Sequence, residues 1–150
     1  MTSGRSIFSR RLRLALKESA GEVQEEARRT HNFQSHTSAL ERSVKTKVSE
    51  SNYADIYLNE HIAKYGPYVH QGTSSHWIIP SRKKALRFPK GGRFIFAKSV
   101  YHPGTKADPF LYEALKNSRY EIDRIFKQYT EKSLEEVANA LRRKSYTFRG

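Results

Sequence analysis

The chain has 150 residues, the size of one ordinary domain and too few for two sizeable cores. Hydrophobic residues make up 37% and aromatics 12%, enough for a thin core whose eight Phe and nine Tyr are expected to complete their burial against neighbouring copies. Twenty-eight Lys and Arg against 15 Asp and Glu give a formal charge of +13, so the chain will associate with polyanions unless its partners neutralise it. The absence of cysteine excludes disulfides and thiolate chemistry. The segment MTSGRSIFSRRLRLAL lacks the uninterrupted apolar stretch of an export signal, and nowhere do roughly 18 consecutive apolar residues occur to cross a bilayer. The expectation is a soluble protein without a membrane partner, cytoplasmic when made, with residues 1–150 forming a single domain.

Phe8, Leu12, Leu16, Ala20, Val23 and Ala27 recur at helical spacing and predict a helix from about Ser6 to Thr30. Its basic half (Arg10, Arg11, Arg13, Lys17) precedes its acidic half (Glu18, Glu22, Glu25, Glu26), an order unfavourable to the helix dipole. A polar break follows at His31 to Ser38. Between Leu40 and Val48, alternation of Val44, Thr46 and Val48 with Lys45 and Lys47 has strand period, and so has Ala54, Ile56, Leu58 against Asp55, Tyr57, Asn59. Ser51-Asn52 between the runs supplies turn chemistry for a hairpin. A short helical turn over His61–Tyr68 is expected to be interrupted at Pro67. The loop containing Gly72, Thr73, Ser74 and Ser75 then leads to Trp77-Ile78-Ile79-Pro80.

A second hairpin is marked by Ala85–Phe88 and Arg93–Phe96 around Pro89-Lys90-Gly91-Gly92, whose glycines can take the positive φ of a tight reversal. It brings Phe88, Phe94 and Phe96 near one another. The strand extends toward Val100 and Tyr101, and His102-Pro103-Gly104-Thr105 forms a turn. Asp108 is placed to cap a helix with Pro109 at its first position. The apolar stripe of that helix is Leu111, Leu115, Ile122, Ile125, Phe126 and Tyr129. A last short helix is expected from Ser133, with Glu136 completing a capping box and Val137, Ala138 and Leu141 buried. Residues 142–150 read as a basic, mobile tail. The order helix, strands in hairpins, helices predicts an α+β fold: an antiparallel sheet of about four to five strands packed against a long N-terminal helix and C-terminal helices.

No Walker loop, dinucleotide fingerprint, HExxH or GxSxG string occurs. Six histidines (His31, His36, His61, His70, His76, His102) stand neither at i, i+4 on a helix nor beside cysteine, so no metal site is expected. The central region offers only Asp55, Glu60 and Asp108 as carboxylates for a metal-dependent nuclease. Neither catalysis nor a cofactor is expected. The charge is concentrated instead: Arg82, Lys83, Lys84, Arg87, Lys90, Arg93 and Lys98 occur without one Asp or Glu among them. They are the candidate DNA-facing residues.

The succession Ser38–Val44, YADIYLNE, YGPYVHQGT, ALRF and FAKSVYHPGTKADPFLYEAL resembles the small tail-component family of long-tailed double-stranded DNA phages, the tail-completion or neck proteins. The resemblance spans roughly residues 38 to 116, and its two best markers are Tyr68 to Thr73 and His102 to Leu111. It implies a structural virion protein, an α+β subunit that forms a ring, sixfold by that resemblance, around the DNA channel between head connector and tail. The implied partners are further copies of the chain, connector or stopper proteins, tail terminator or tail tube, and double-stranded DNA contacted without sequence readout. Within it, the cationic cluster is expected to face the lumen in part, and Tyr68, Trp77, Ile78 and Ile79 to dock on a neighbour. Gly72, Pro103, Gly104, Asp108 and Pro109 are expected to be structural turn and cap residues. The alternatives are a tail terminator capping the tube and a monomeric nucleic-acid-binding module.

Overall fold

A computed structural model describes residues 4–147, with side chains described through residue 143. The fold is mixed α+β, opening on a long helix and closing on helices. In chain order the elements are α1 (Gly4–Arg29), α2 (Ala39–Ser43), β1 (Val44–Val48), β2 (Ala54–Leu58), α3 (Gly66–Gln71) and β3 (His76–Ile78). There follow β4 (Leu86–Lys90), β5 (Arg93–Ala97), β6 (Val100–His102), α4 (Phe110–Asn117) and α5 (Arg119–Thr147). The single sheet of four to five strands is not formed. The strands make three separate antiparallel pairs, β1-β2, β3-β6 and β4-β5. Two local causes are visible in the sequence. Pro89 stands within β4 and has no N–H to offer a further strand, and the strand expected to run on to Tyr101 stops at Ala97, before Lys98 and Ser99.

By packing, the chain divides into two compact units, one of Met1–Gly66 with Phe110–Gly150 and one of Pro67–Pro109. In the first, α1 packs against α5, α4 and the β1–β2 hairpin. Its buried residues are Ile7, Ala15, Ser19, Ala20, Val23 and Ala27: the second half of the expected stripe, Ala20, Val23 and Ala27, is buried as expected, whereas in the first half Ile7 and Ala15 are buried one position ahead of Phe8 and Leu16, and Phe8 stays 41% exposed. Ala15, Ala20, Ala27, Ala114, Ser118 and Ser133 are all buried, and such small side chains let helices approach closely. Between them sit Val23, Leu40, Val44, Phe110 and Ile125. Complete burial of a side chain such as Phe110 contributes about 1.5–3 kcal/mol.

The expected β1–β2 hairpin forms, with Val44, Thr46 and Val48 opposite Leu58, Ile56 and Ala54, and its turn holds Asn52 at a φ of 62°. One helical turn, α2, precedes β1, where strand was expected from Leu40. Pro67 does not interrupt a helix but falls in the first turn of α3, where a missing N–H costs nothing.

The C-terminal half departs most from expectation. The backbone breaks at Ser118, and α5 then runs without a stop to Thr147. Ser133 caps nothing: it is buried inside α5, and its hydroxyl donates to the Tyr129 carbonyl at 2.7 Å. Glu136 reaches across to α1, where Arg11 Nη2 lies 2.9 Å from it and Arg10 also pairs with it. These guanidiniums hold the Glu136 carboxyl below the usual range. Tyr129 Oη donates to Glu18 at 2.8 Å, which raises the phenol above its ordinary range. Leu141 and Ala138 are exposed rather than buried, and Val137 is half-buried. Residues 142–147 of the expected loose tail continue the helix, while 148–150 lie outside the described residues.

Candidate functional site

Within the Pro67–Pro109 unit, the two sequence markers meet. Thr73 and Thr105 form an antiparallel bridge, with Thr73 N donating to Thr105 O at 2.9 Å and Thr105 N to Thr73 O at 3.1 Å. Asp108 N adds a bond to Val69 O at 3.0 Å. The glycines explain the closeness. A Cβ on Gly72 would lie 2.7 Å from Thr105 O, and one on Gly104 would lie 2.4 Å from Thr73 O; both residues have positive φ, 75° and 93°. Each marker therefore contributes a glycine that makes room for the other's backbone. Pro103 precedes this turn, and Gly104 N donates to His102 Nδ1 at 3.1 Å, which fixes that ring with Nδ1 as acceptor. Asp108 is buried at the end of the clasp, and Pro109 stands immediately before α4, which begins one residue later than expected.

The β4–β5 ribbon reverses through Gly91 and Gly92 at φ of 58° and 76°, a two-residue turn tighter than the four-residue one expected. Its register sorts the side chains. Arg87 opposes Phe96 and Pro89 opposes Phe94 on one face; Leu86, Phe88 and Lys90 oppose Ala97, Ile95 and Arg93 on the other. Phe88 thus lies on the opposite face from Phe94 and Phe96, because side chains alternate along a strand. The seven candidate cations do not share one face. Arg82, Lys83 and Lys84 lie in the loop before β4, and Lys98 follows β5. All seven are exposed, and none forms an ion pair among the described residues. Arg87 lies 3.6 Å above the centre of the Phe94 ring, a cation–π contact that holds the guanidinium over the ribbon. Lys90 stands directly across from Arg93, a like-charge pair that destabilises the ribbon unless an anion intervenes.

The docking candidates are open to solvent: Tyr68 on α3, Trp77 and Ile78 on β3, and Ile79 just beyond it. Trp77 is 65% and Ile79 69% exposed, so neither covers a core of its own unit. Trp77 packs edge-on against Tyr101, its partner across β3–β6, with ring centroids 5.3 Å apart. Sequence reading missed Tyr101 and the stacked pair His76–His102, since nothing local showed that β3 would pair with β6 across the intervening hairpin. Among the described residues no three of His, Cys, Asp and Glu gather as a metal site requires. No helix of the described residues is long and apolar enough to cross a membrane.

Fold and site together define a mixed α+β chain that presents an acid-poor, cationic and apolar surface suited to binding. No protein-family model, curated protein or solved structure matches the chain.

Proposed function

We propose that this chain is a structural subunit of the head–tail junction of a long-tailed double-stranded DNA phage, a tail-completion or neck protein that closes into a ring with its own copies around the DNA channel. The observation that carries this reading is the state of the Pro67–Pro109 unit. Among the described residues, every buried hydrophobic side chain belongs to the other unit, while Tyr68, Trp77, Ile79, Phe94, Phe96 and Tyr101 are all exposed. Two-stranded ribbons are marginal in water by themselves, and such a unit completes its burial on a neighbour. Contacts of one copy with the next, repeated by a fixed rotation, close a ring. The motif likeness supplies the setting, and the reciprocal glycine clasp gives the likeness a physical reason. In this reading the chain carries out no bond-making chemistry and needs no cofactor. The exposed cations meet phosphates without reading bases, as a conduit for any sequence requires.

Sedimentation velocity with negative-stain imaging of the purified chain, alone and with phage tails, tests the proposal. Closed rings that also sit at tail ends are expected. A species that stays monomeric at high concentration and never locates to the junction would sink it. A second reading, a monomeric nucleic-acid-binding module, draws on the Arg87–Phe94 stack and the exposed Phe96 beside it. It predicts salt-sensitive DNA binding by monomers and no rings.

A further inference from the structure

We propose a second, independent nucleic-acid site, in which a trough beside the first half of α1 holds a phosphodiester backbone. The trough has a volume of about 850 Å³, open to solvent, between α1 and the end of β1 with the turn that follows; all its lining residues lie in the helical unit. On the α1 side Arg5, Ser9, Arg13 and Lys17 follow one another at four-residue steps. Each step is about 6 Å along a helix axis, so they form one ridge about 18 Å long. The opposite wall carries Ser49 and Glu50.

Three of the four cations that line the trough stand outside the ion pairs of the described residues. On α1, Arg10 and Arg11 are taken by Glu136, Arg28 by Glu25 and Arg29 by Glu26. Arg5, Arg13 and Lys17 have no such partner among the described residues; all three line the trough, where Arg10, turned to Glu136, is the fourth cation. The first turn of α1 contains no acid to answer the positive end of the helix dipole, and Arg5 adds to that charge. The arrangement is unfavourable without an anion. Its extent decides which anion. A single small anion leaves most of an 850 Å³ trough empty, whereas three cations and serine hydroxyls strung along a ridge match a chain of phosphates, which such groups contact without reading sequence. This site does not depend on the ring, since the trough lies within one copy and none of its lining residues belongs to the Arg82–Lys98 cluster.

The probe is a fluorescein-labelled mixed-sequence DNA duplex, titrated into the full chain at several salt concentrations. Two backgrounds are used: wild type, and a variant with Arg82→Gln, Lys83→Gln, Lys84→Gln, Arg87→Gln, Lys90→Gln, Arg93→Gln and Lys98→Gln. In both, adding Arg5→Gln, Arg13→Gln and Lys17→Gln is expected to weaken binding about tenfold or more at low salt and to flatten the log–log salt slope by about 2.7. Glu50→Gln, which removes the carboxylate from the trough, is expected to tighten binding. All four positions are exposed, and circular dichroism and Tm are expected to stay unchanged. Unchanged affinity and slope in the triple variant, in both backgrounds, overturn the proposal. So does sodium polyglutamate binding as tightly as DNA and losing its hold in the triple variant, a result that would assign the trough to an acidic polypeptide. Loss of DNA affinity in the seven-residue variant bears on the ribbon alone and leaves this test intact.

Discussion

At Gly104 a hydrogen in place of a methyl group decides whether two distant segments can touch. An alanine there needs a left-handed backbone and would place its Cβ 2.4 Å from Thr73 O, so backbone rather than a flexible side chain must give way. Gly104→Ala is expected to cost about 2 kcal/mol or more, seen as lost hydrogen-exchange protection at the Thr73 and Thr105 amides. Protection that survives would disprove the clasp. Gly21 is the opposite case: it lies inside α1 with nothing within 4 Å of an added Cβ, so Gly21→Ala is expected to stabilise the chain by about 0.5–1 kcal/mol, read as a higher Tm. The sequence showed that Gly72 and Gly104 were turn residues, because glycine beside proline or threonine is a local signal. It could not show that they face each other, which is a property of a bridge across more than thirty positions of chain. For the same reason the partner of Trp77 was hidden.

Between elements, the helices of the first unit are joined by polar contacts as well as by small buried side chains, and these contacts titrate. The Tyr129 phenol donates to Glu18, so its folded-state pKa lies above the unfolded value near 10. A group raised in this way contributes stability that is present in full below the unfolded pKa and lost as pH rises through the folded one. Tyr129→Phe is expected to lower stability by about 1 kcal/mol at pH 8, and the difference from wild type should vanish in alkali above the phenol's pKa. Glu136 has the reverse sign. Its carboxyl is held low by Arg11 and Arg10, so its contribution is present above the ordinary glutamate pKa and fades as pH falls through the lowered one. Thermal melts of wild type and Glu136→Gln are expected to differ at pH 7 and to converge in acid; parallel curves would rule out the pair as a link between α1 and α5. Element type was largely legible here, since α1 and the β1–β2 hairpin follow from period alone. The end of α4 and the reach of α5 were not, because Ser133 with Glu136 reads as a helix start in any local window. What overrides that reading is tertiary: Ser133 is buried, its hydroxyl can satisfy itself on the Tyr129 carbonyl, and Glu136 has two arginines to meet on another helix.

Across the whole chain, apolar burial and charge are divided unequally. Among the described residues, the helical unit holds the buried hydrophobic side chains, while the Pro67–Pro109 unit carries eight exposed cations outside any ion pair and most of its aromatics in water. In the proposed ring the helical unit supplies the stability of the subunit and the other unit the surface that meets a neighbour, so the two kinds of surface should answer to different substitutions. Trp77 and Ile79 are so exposed that truncating either removes little from the isolated chain; Trp77→Ala and Ile79→Ala are each expected to change its unfolding free energy by no more than about 0.5 kcal/mol. If a neighbouring copy covers them, the same truncations act on assembly, where a buried aromatic anchor is worth about 2 kcal/mol or more. Sedimentation velocity over a concentration series should then show the association midpoint of Trp77→Ala moving at least about thirtyfold upward while Tm at low concentration holds. Arg82→Gln with Lys83→Gln, by contrast, should shift DNA affinity and its salt slope and leave that midpoint in place. Should Trp77→Ala assemble as wild type does, the apolar side of the unit is no subunit interface, and the ring must be sought on another face.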